Sequence, residues 1–291
     1  MSRSRIKKIT LRNLWGHTDL SWDALEPDVN ILVGINGSGK STLLKIVASL
    51  LAGERKKLEN YGPSFSAHLV FDTWRGNGWE GDEVALSYAA DAAHPHRINL
   101  FKPPHGALLS TFDAPVRNRE RLGQEESSLD QELDLLIYQR EKESPVNFTN
   151  YRLKATMPRY DSQQIAESIR TFFLDTINPL FAGTGKKIEI DENTNEVVFQ
   201  THSRTLKLTD LSSGEKQLLI ILFRLFLMEK KEYVILMDEP ELSLHIEWQQ
   251  KLIDVMTRLN PNGQFIIATH SPSLFGKGWM CKMTRMENLN Q

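Results

Sequence analysis

The 291-residue chain has one cysteine, Cys281, and that scarcity excludes a disulfide framework. It is the usage expected of a reducing compartment, which points to the cytoplasm. Long apolar runs are lacking too. The most apolar stretch, Leu218–Met228, has about half the length that a bilayer-spanning helix needs, and it contains Arg224. The N-terminus is charged and has no apolar core, so neither a secretory leader nor membrane attachment is expected. Charge of one sign is not in excess. With 35 Lys and Arg against 37 Asp and Glu, the net charge of −2 gives no global electrostatic case for nucleic acid. There is no internal repeat and no low-complexity tract. A sustained heptad pattern is missing as well: 116–143 offers at most two heptads, where a coiled-coil arm needs several. What remains is an ordinary globular composition, 40% hydrophobic and 25% charged, long enough to bury a large core.

Against these absences, residues 34–42 stand out as Gly34-Ile35-Asn36-Gly37-Ser38-Gly39-Lys40-Ser41-Thr42. Asn30–Val33 before them reads as a short buried strand. Ser41–Leu51 after them carries Leu43, Leu44, Ile46, Val47, Leu50 and Leu51 at helical spacing, and Gly53 follows as a stop. A strand, a G-x-x-x-x-G-K-[ST] loop and a helix make a phosphate cradle. Glycines let the backbone wrap the phosphate chain, and amides at the helix start point into the anion. Lys40 neutralises the outer phosphates and the Ser41 hydroxyl ligates Mg²⁺. The expected ligand is a nucleoside triphosphate.

Three later segments add chemistry. Tyr233–Met237 is a continuous apolar run ending in Asp238-Glu239-Pro240, which sets two carboxylates at the tip of a buried strand. Asp238 is placed to hold the metal, and Glu239 to orient or deprotonate an attacking water. Leu211-Ser212-Ser213-Gly214-Glu215-Lys216-Gln217 precedes the apolar stretch 218–228. Small hydroxyl residues and a glycine at a helix start form an anion site, although a plain N-capped helix looks the same. Gln264–Ala268 is another buried-strand run and ends in Thr269-His270-Ser271-Pro272, where His270 can donate to a terminal phosphate.

Elsewhere, residues 5–33 read as strands, as do His68–Asp72, Glu83–Ala89 and Arg97–Lys102. The Gly- and Trp-rich Thr73–Gly81 makes a turn, and Arg117–Glu126 is a solvated mixed-charge segment. Helices are expected over Ser128–Lys142 and over Asp161–Phe181, the second capped by Asp161 and stopped at Gly183. Lys187–Ile190 and Val197–Gln200 form a hairpin. His94 and His96, with Asp91 near, read as surface loop residues rather than a metal site. The basic groups Arg3/Arg5/Lys7/Lys8 and Arg55/Lys56/Lys57 read first as solvated faces, but they keep DNA or RNA open as partners. No nuclease-type metal cluster, nucleophile–base pair or topoisomerase-primase-like acidic triad is visible.

The set Gly34–Thr42, Leu211–Gln217, Val234–Glu241 and Ala268–Pro272 resembles that of the ABC class of P-loop ATPases, which includes the chromosome-maintenance and break-repair ATPases. Its wording is most similar to the prokaryotic overcoming-lysogenisation-defect-like branch. Relatives there include ATPase components of anti-phage systems such as PARIS, Septu and some retrons. Pro240-Glu241-Leu242-Ser243-Leu244-His245 and the opening Ile6–Leu14 carry that closer resemblance. Ser213 and Glu215-Lys216-Gln217 depart from the transporter form Leu-Ser-Gly-Gly-Gln, which argues against a transporter subunit.

The resemblance implies an α/β, ABC-type P-loop NTPase head: a mixed sheet with flanking helices, a compact helical insertion and no coiled-coil arm. Its parts are expected at 1–115 (nucleotide-binding lobe), 116–185 (insertion) and 186–291 (signature and Walker-B lobe). The implied cofactors are ATP and Mg²⁺. Gly34, Asn36, Gly37, Ser38, Gly39, Lys40, Ser41 and Thr42 would bind nucleotide, Ser41 and Asp238 the metal, and Glu239 and His270 would be catalytic. Leu211, Ser212, Ser213, Gly214, Glu215 and Gln217 would form a signature that meets the nucleotide of a second copy. The implied partners are a homodimer or higher assembly and a separate effector: a nuclease, a toxin or a reverse-transcriptase component. A DNA-repair ATPase is the alternative, and a transporter subunit a weaker one. The glutamine loop usual in this class is left among Gln124, Gln131 and Gln139.

Overall fold

A computed structural model describes residues 3–74, 78, 83–90, 105–110, 127–138, 147–276 and 278–289. In chain order the principal elements are β1 (Arg3–Leu14), β2 (Thr18–Trp22), β3 (Val29–Val33), α1 (Lys40–Ala52), α2 (Arg55–Leu58), β4 (Ser66–Trp74), β5 (Val84–Ala89), β6 (His105–Ser110), α3 (Ser128–Ile137) and α4 (Phe148–Leu153). There follow α5 (Ser162–Thr171), α6 (Asn178–Phe181), β7 (Lys187–Ile190), β8 (Val197–Gln200), β9 (Thr205–Leu206), α7 (Ser213–Leu227), β10 (Tyr233–Asp238), α8 (Ile246–Leu259), β11 (Gln264–Thr269) and β12 (Met283–Arg285). Among the described residues, no helix is long and apolar enough to cross a membrane.

The chain divides into two compact units. Among the described residues, the first, 1–111 with 230–241 and 261–291, holds two sheets. One is antiparallel, in the order β2-β1-β4-β5. The other is wholly parallel, in the order β12-β3-β11-β10-β6. The parallel and antiparallel pairings of a mixed α/β head are both present and lie in separate sheets. Every residue of β11 is buried, and so are five of the six in β10, which is why both read as unbroken apolar runs rather than alternating ones. α1 ends on Gly53 in the left-handed region, its N–H returning to Leu50 O and Ser49 O. Leu43, Leu44, Ile46 and Val47 of α1 join Ile6, Phe71, Leu236 and Ile266 in the core of this unit.

Because the second sheet is parallel, the segments after β3, β10 and β11 all emerge at one edge. Those segments are the phosphate loop, Glu239 and His270. Ligands of open parallel sheets gather at that edge.

The described residues of the second unit, 112–229 with 242–260, are mainly helical and carry the small antiparallel sheet β7-β8-β9. Its core is aromatic. Phe172 stacks on Phe226 with centroids 4.3 Å apart, and Phe148 meets Phe223 edge-on at 5.1 Å.

Several boundaries depart from the sequence expectation. The helix expected over Asp161–Phe181 starts as anticipated, with the Asp161 carboxylate accepting from Gln163 N and Gln164 N. Between α5 and α6 it passes through a π-helical turn, Phe172–Ile177, whose shifted register lets the adjacent Phe172 and Phe173 both be buried. Its stop is Gly185, at φ 67, not Gly183, because only Gly185 adopts the left-handed conformation. α3 reaches Ile137 with Tyr138 as its C-cap, and residues 139–142 lie outside the described ones. The expected strand at 97–102 is also outside them, as are Arg117–Glu126, His94, His96, Asp91, Gln124 and Gln139. β6 and β12, the two edge strands of the parallel sheet, were not anticipated.

Candidate nucleotide site

The loop between β3 and α1 has the conformation its glycines permit. Gly37 (φ 80) and Gly39 (φ 99) lie in the left-handed region, where a side chain is strained. Gly34 is glycine for a different reason: a Cβ there would come within 2.7 Å of Ser38 Oγ and 3.0 Å of Met286 Cβ. Gly39 is the N-cap of α1 and supplies no side-chain cap, so the first amides of that helix are left for an anion. Lys40 is 4% exposed, and its ammonium donates to Gly34 O (2.8 Å) and Ile35 O (3.1 Å). An ammonium has three N–H donors, so one remains to meet a phosphate. Ser38 Oγ is buried and has no hydrogen-bond partner among the described residues. An orphaned hydroxyl, a positioned ammonium and uncapped amides around a glycine cradle fit a polyphosphate.

The metal-type pair is adjacent. Ser41 Oγ donates to Asp238 Oδ1 at 3.0 Å, which joins residues far apart in the chain through the tips of α1 and β10. Burial pushes the Asp238 carboxyl up from its ordinary value; the Ser41 hydrogen bond opposes this and the neighbouring Glu239 adds to it. A divalent cation would reverse that balance by supplying the missing positive charge. Hydroxyl and carboxylate oxygens are the donors a hard cation such as Mg²⁺ prefers.

Glu239 sits at the turn leaving β10 with φ 48, a left-handed conformation that is uncommon for a non-glycine residue. Its N–H donates to Ala268 O (2.8 Å) and its Oε1 accepts from His270 Nδ1 (2.9 Å). An ionised carboxylate can only accept, so the ring carries its proton on Nδ1 there. His270 can then donate to a phosphate through Nε2 only as the imidazolium. Two strand-tip residues, a carboxylate able to accept a proton and an imidazole hydrogen-bonded to it, are thus brought together.

Glu241 entered the sequence reading only as part of the family resemblance and was given no role in the site. It is 3% exposed, and Thr269 Oγ1 donates to its Oε1. Burial pushes its carboxyl up, and the Thr269 hydrogen bond opposes the shift. Met286 was passed over. It is 2% exposed, follows β12 directly, and its Cε would lie 3.4 Å from a Cβ on Gly39, so it forms part of the floor of the phosphate loop. No local pattern marks either contact, because both join segments distant in sequence.

The candidate signature lies in the other unit, at the start of α7. Ser212 is its N-cap in a reciprocal capping box: Glu215 N donates to Ser212 Oγ, and Glu215 Oε2 accepts from Ser212 N (2.9 Å). Lys186 Nζ completes the Glu215 carboxylate at 2.7 and 2.8 Å. Burial raises the Glu215 pKa, but Lys186 and the Ser212 donors outweigh it, and the net shift is downward. Leu211, Gly214, Glu215 and Gln217 are buried, while Ser212 and Ser213 are exposed. The surface offered to a ligand is therefore narrower than the full motif. Gly214 faces the loop after Glu241: a Cβ there would lie 2.2 Å from Ser243 O. Its side is filled by protein backbone.

The basic residues near the N-terminus are used internally. Arg5 is 1% exposed and donates to Pro27 O and Asn262 O. Lys7 pairs with Asp72 and Glu83, Lys8 with Asp23, and Lys57 with Glu54.

Fold and site together define a P-loop ATPase head. The comparisons agree: residues 29–276 match the AAA_21 family, described as "AAA domain, putative AbiEii toxin, Type IV TA system", and the chain belongs to that family. It is 21% identical to the Septu protein PtuA of Bacillus thuringiensis, over 92% of this chain and 72% of that one. It is 32% identical to the Retron Vc95 probable ATPase of Vibrio cholerae over 37% of the chain, and 31% identical to the Retron Ec83 probable ATPase of Escherichia coli over 27%. Those matches take in only 22% and 17% of the two retron proteins. In fold the chain resembles an Smc head bound to the C-winged helix domain of ScpA (TM-score 0.59, 15% identity, 96% of this chain and 93% of that one). It also resembles an Smc head with an extended coiled coil from Pyrococcus furiosus (TM-score 0.54, 15% identity, 98% and 93%).

Proposed function

We propose that this chain binds ATP with Mg²⁺, hydrolyses it when two copies close around the nucleotide, and through that cycle controls a separate effector in prokaryotic anti-phage defence. The observation that carries the ATPase reading is the convergence, at one sheet edge, of the Lys40 cradle, the Ser41–Asp238 pair and the Glu239–His270 pair. Lys40 and the α1 amides hold the phosphates, Ser41 and Asp238 hold Mg²⁺, and Glu239 accepts a proton from the attacking water. A positioned general base contributes typically 10²–10⁴-fold.

The dimer reading rests on the exposed Ser212 and Ser213 at the N-terminus of α7, an anion-seeking helix end in a different unit from the phosphate loop. ATP held by Lys40 of one copy would be met by Ser213 of the other. The defence assignment rests on the similarity to a Septu protein and to retron ATPases, and the effector is a nuclease, toxin or reverse-transcriptase component. The pairing of Arg5, Lys7 and Lys8 within the chain weakens one of the two basic groups that keep DNA or RNA open as partners; the other, Arg55/Lys56/Lys57, is exposed.

The test is turnover per chain as a function of protein concentration, with nucleotide binding followed in parallel. Turnover should rise with concentration until the dimer saturates. Ser213→Arg should keep ATP binding and lose the ATP-dependent dimer, whereas Lys40→Ala should lose binding with the fold intact. Flat turnover down to nanomolar concentrations, with no dimer found, would overturn the shared-site reading.

A further inference from the structure

The Glu239–His270 pair is built on an unstable footing. Glu239 is a non-glycine residue in the left-handed region, at the point where the chain leaves β10, and His270 follows the last residue of β11. Two flexible side chains at neighbouring strand ends do not hold a 2.9 Å contact by themselves.

Three further bonds tie these ends together. Glu239 N–H donates to Ala268 O, which continues the parallel ladder one step past Asp238. Glu241, two residues beyond Glu239, takes the Thr269 hydroxyl on its buried carboxylate. Thr269 Oγ1 in turn accepts from Ser271 N at 2.9 Å. The Thr269 side chain therefore lies between Glu241 on one segment and the backbone on the far side of His270 on the other. Thr269 is fully buried, and Glu241 nearly so, where water does not compete for the bond.

We infer that Glu241 and Thr269 are positioning residues, a buried crossbar that fixes the Glu239 turn against the His270 loop and so sets the geometry in which Glu239 meets the attacking water. This deepens the hydrolytic reading of the same site and rests on it. The crossbar is a hydrogen bond whose acceptor oxygen is what counts. An amide at position 241 keeps that oxygen, and a serine at 269 keeps the donor. Proton transfer through Glu241 has no part in it.

The experiment measures kcat, KM and the unfolding midpoint for the full chain and five variants. Thr269→Val is close in shape and removes the hydroxyl; it should lower kcat by about 10-fold to 100-fold, the cost of a small misplacement, with KM little changed. Glu241→Ala should do the same. Thr269→Ser and Glu241→Gln should restore most of the turnover, and Glu239→Gln is the reference for loss of the base. A second readout does not need turnover. The ring ¹⁵N signals of His270 report the Nδ1–H held by Glu239, and that signature should be present in the parent and in Thr269→Ser, and lost in Thr269→Val.

Parental kcat and an unchanged His270 signature in Thr269→Val would overturn the crossbar. So would a Glu241→Gln variant as inactive as Glu239→Gln, since that would make Glu241 a charge or proton carrier. Should Thr269→Val fail to fold, the Glu241→Gln comparison still decides. A parent that hydrolyses nothing while its His270 signature responds to Thr269→Val would sink the ATPase reading and leave the crossbar standing.

Discussion

Gly214→Ala tests what the signature glycine is for. The residue lies in the first turn of α7, where an alanine would ordinarily be favoured by about 1 kcal/mol. Here the added Cβ would come 2.2 Å from Ser243 O and 3.3 Å from Ser243 C. An ordinary carbon–oxygen contact is about 3.3 Å, so the helix start and the loop would have to separate by roughly 1 Å. Both obstructing atoms are backbone, and Ser243 is itself in the left-handed region at φ 66, so no side chain can swing aside. Overpacking of this kind costs about 1–3 kcal/mol, and a backbone obstacle belongs at the upper end. Offsetting about 3 kcal/mol by the helix preference leaves a net loss of about 2 kcal/mol, or about 3 °C in the midpoint for a chain of this size. Thermal and urea unfolding read it directly. Gly183→Ala is the control: none of the described residues lies within 4 Å of its Cβ, and the change should stay within about 0.5 kcal/mol. If Gly214→Ala unfolds with the parent, the packing argument fails, and the glycine would have to be explained by a ligand.

Glu239→Gln should keep ATP and Mg²⁺ binding and the ATP-dependent dimer while turnover falls by about 10² or more; Asp238→Asn should lose dimer and turnover alike, and equal dimer loss in both would make Glu239 a metal-site residue. Lys186→Met should destabilise the chain by about 1.5–3 kcal/mol at neutral pH, the worth of a hydrogen bond to a charged group. Because the pKa of Glu215 is lowered in the fold, the stability it contributes is present above the ordinary carboxylate range and disappears as pH falls through its lowered value, so urea unfolding should show parent and variant converging in acid. Met286→Ala should weaken binding of a fluorescent ATP analogue by removing the floor beneath Gly39, and the volume-conserving Met286→Leu should largely restore it; parental affinity in the alanine variant would make Met286 ordinary core.

The sequence by itself determined the local chemistry. A strand, a glycine-rich loop ending in Lys40-Ser41 and an amphipathic helix are contiguous, and each part has a short-range physical cause: apolar runs, left-handed glycines and an uncapped helix start. The Asp238-Glu239 and Thr269-His270 strand tips were legible for the same reason, as was the Ser212 cap of α7, because a capping box lies within four residues. Only the tertiary structure decided what those pieces touch. Ser41 meets Asp238, and His270 meets Glu239, because β3, β11 and β10 run parallel in that order; no local pattern encodes strand order. The roles of Glu241 and Met286 and the close approach of Gly214 to Ser243 are likewise contacts between distant segments. The basic N-terminal run shows the converse. Composition makes Arg5, Lys7 and Lys8 a cationic strip, but the fold supplies each with carbonyls or carboxylates, and whether a charge is free or internally satisfied depends on neighbours that are brought close only by folding.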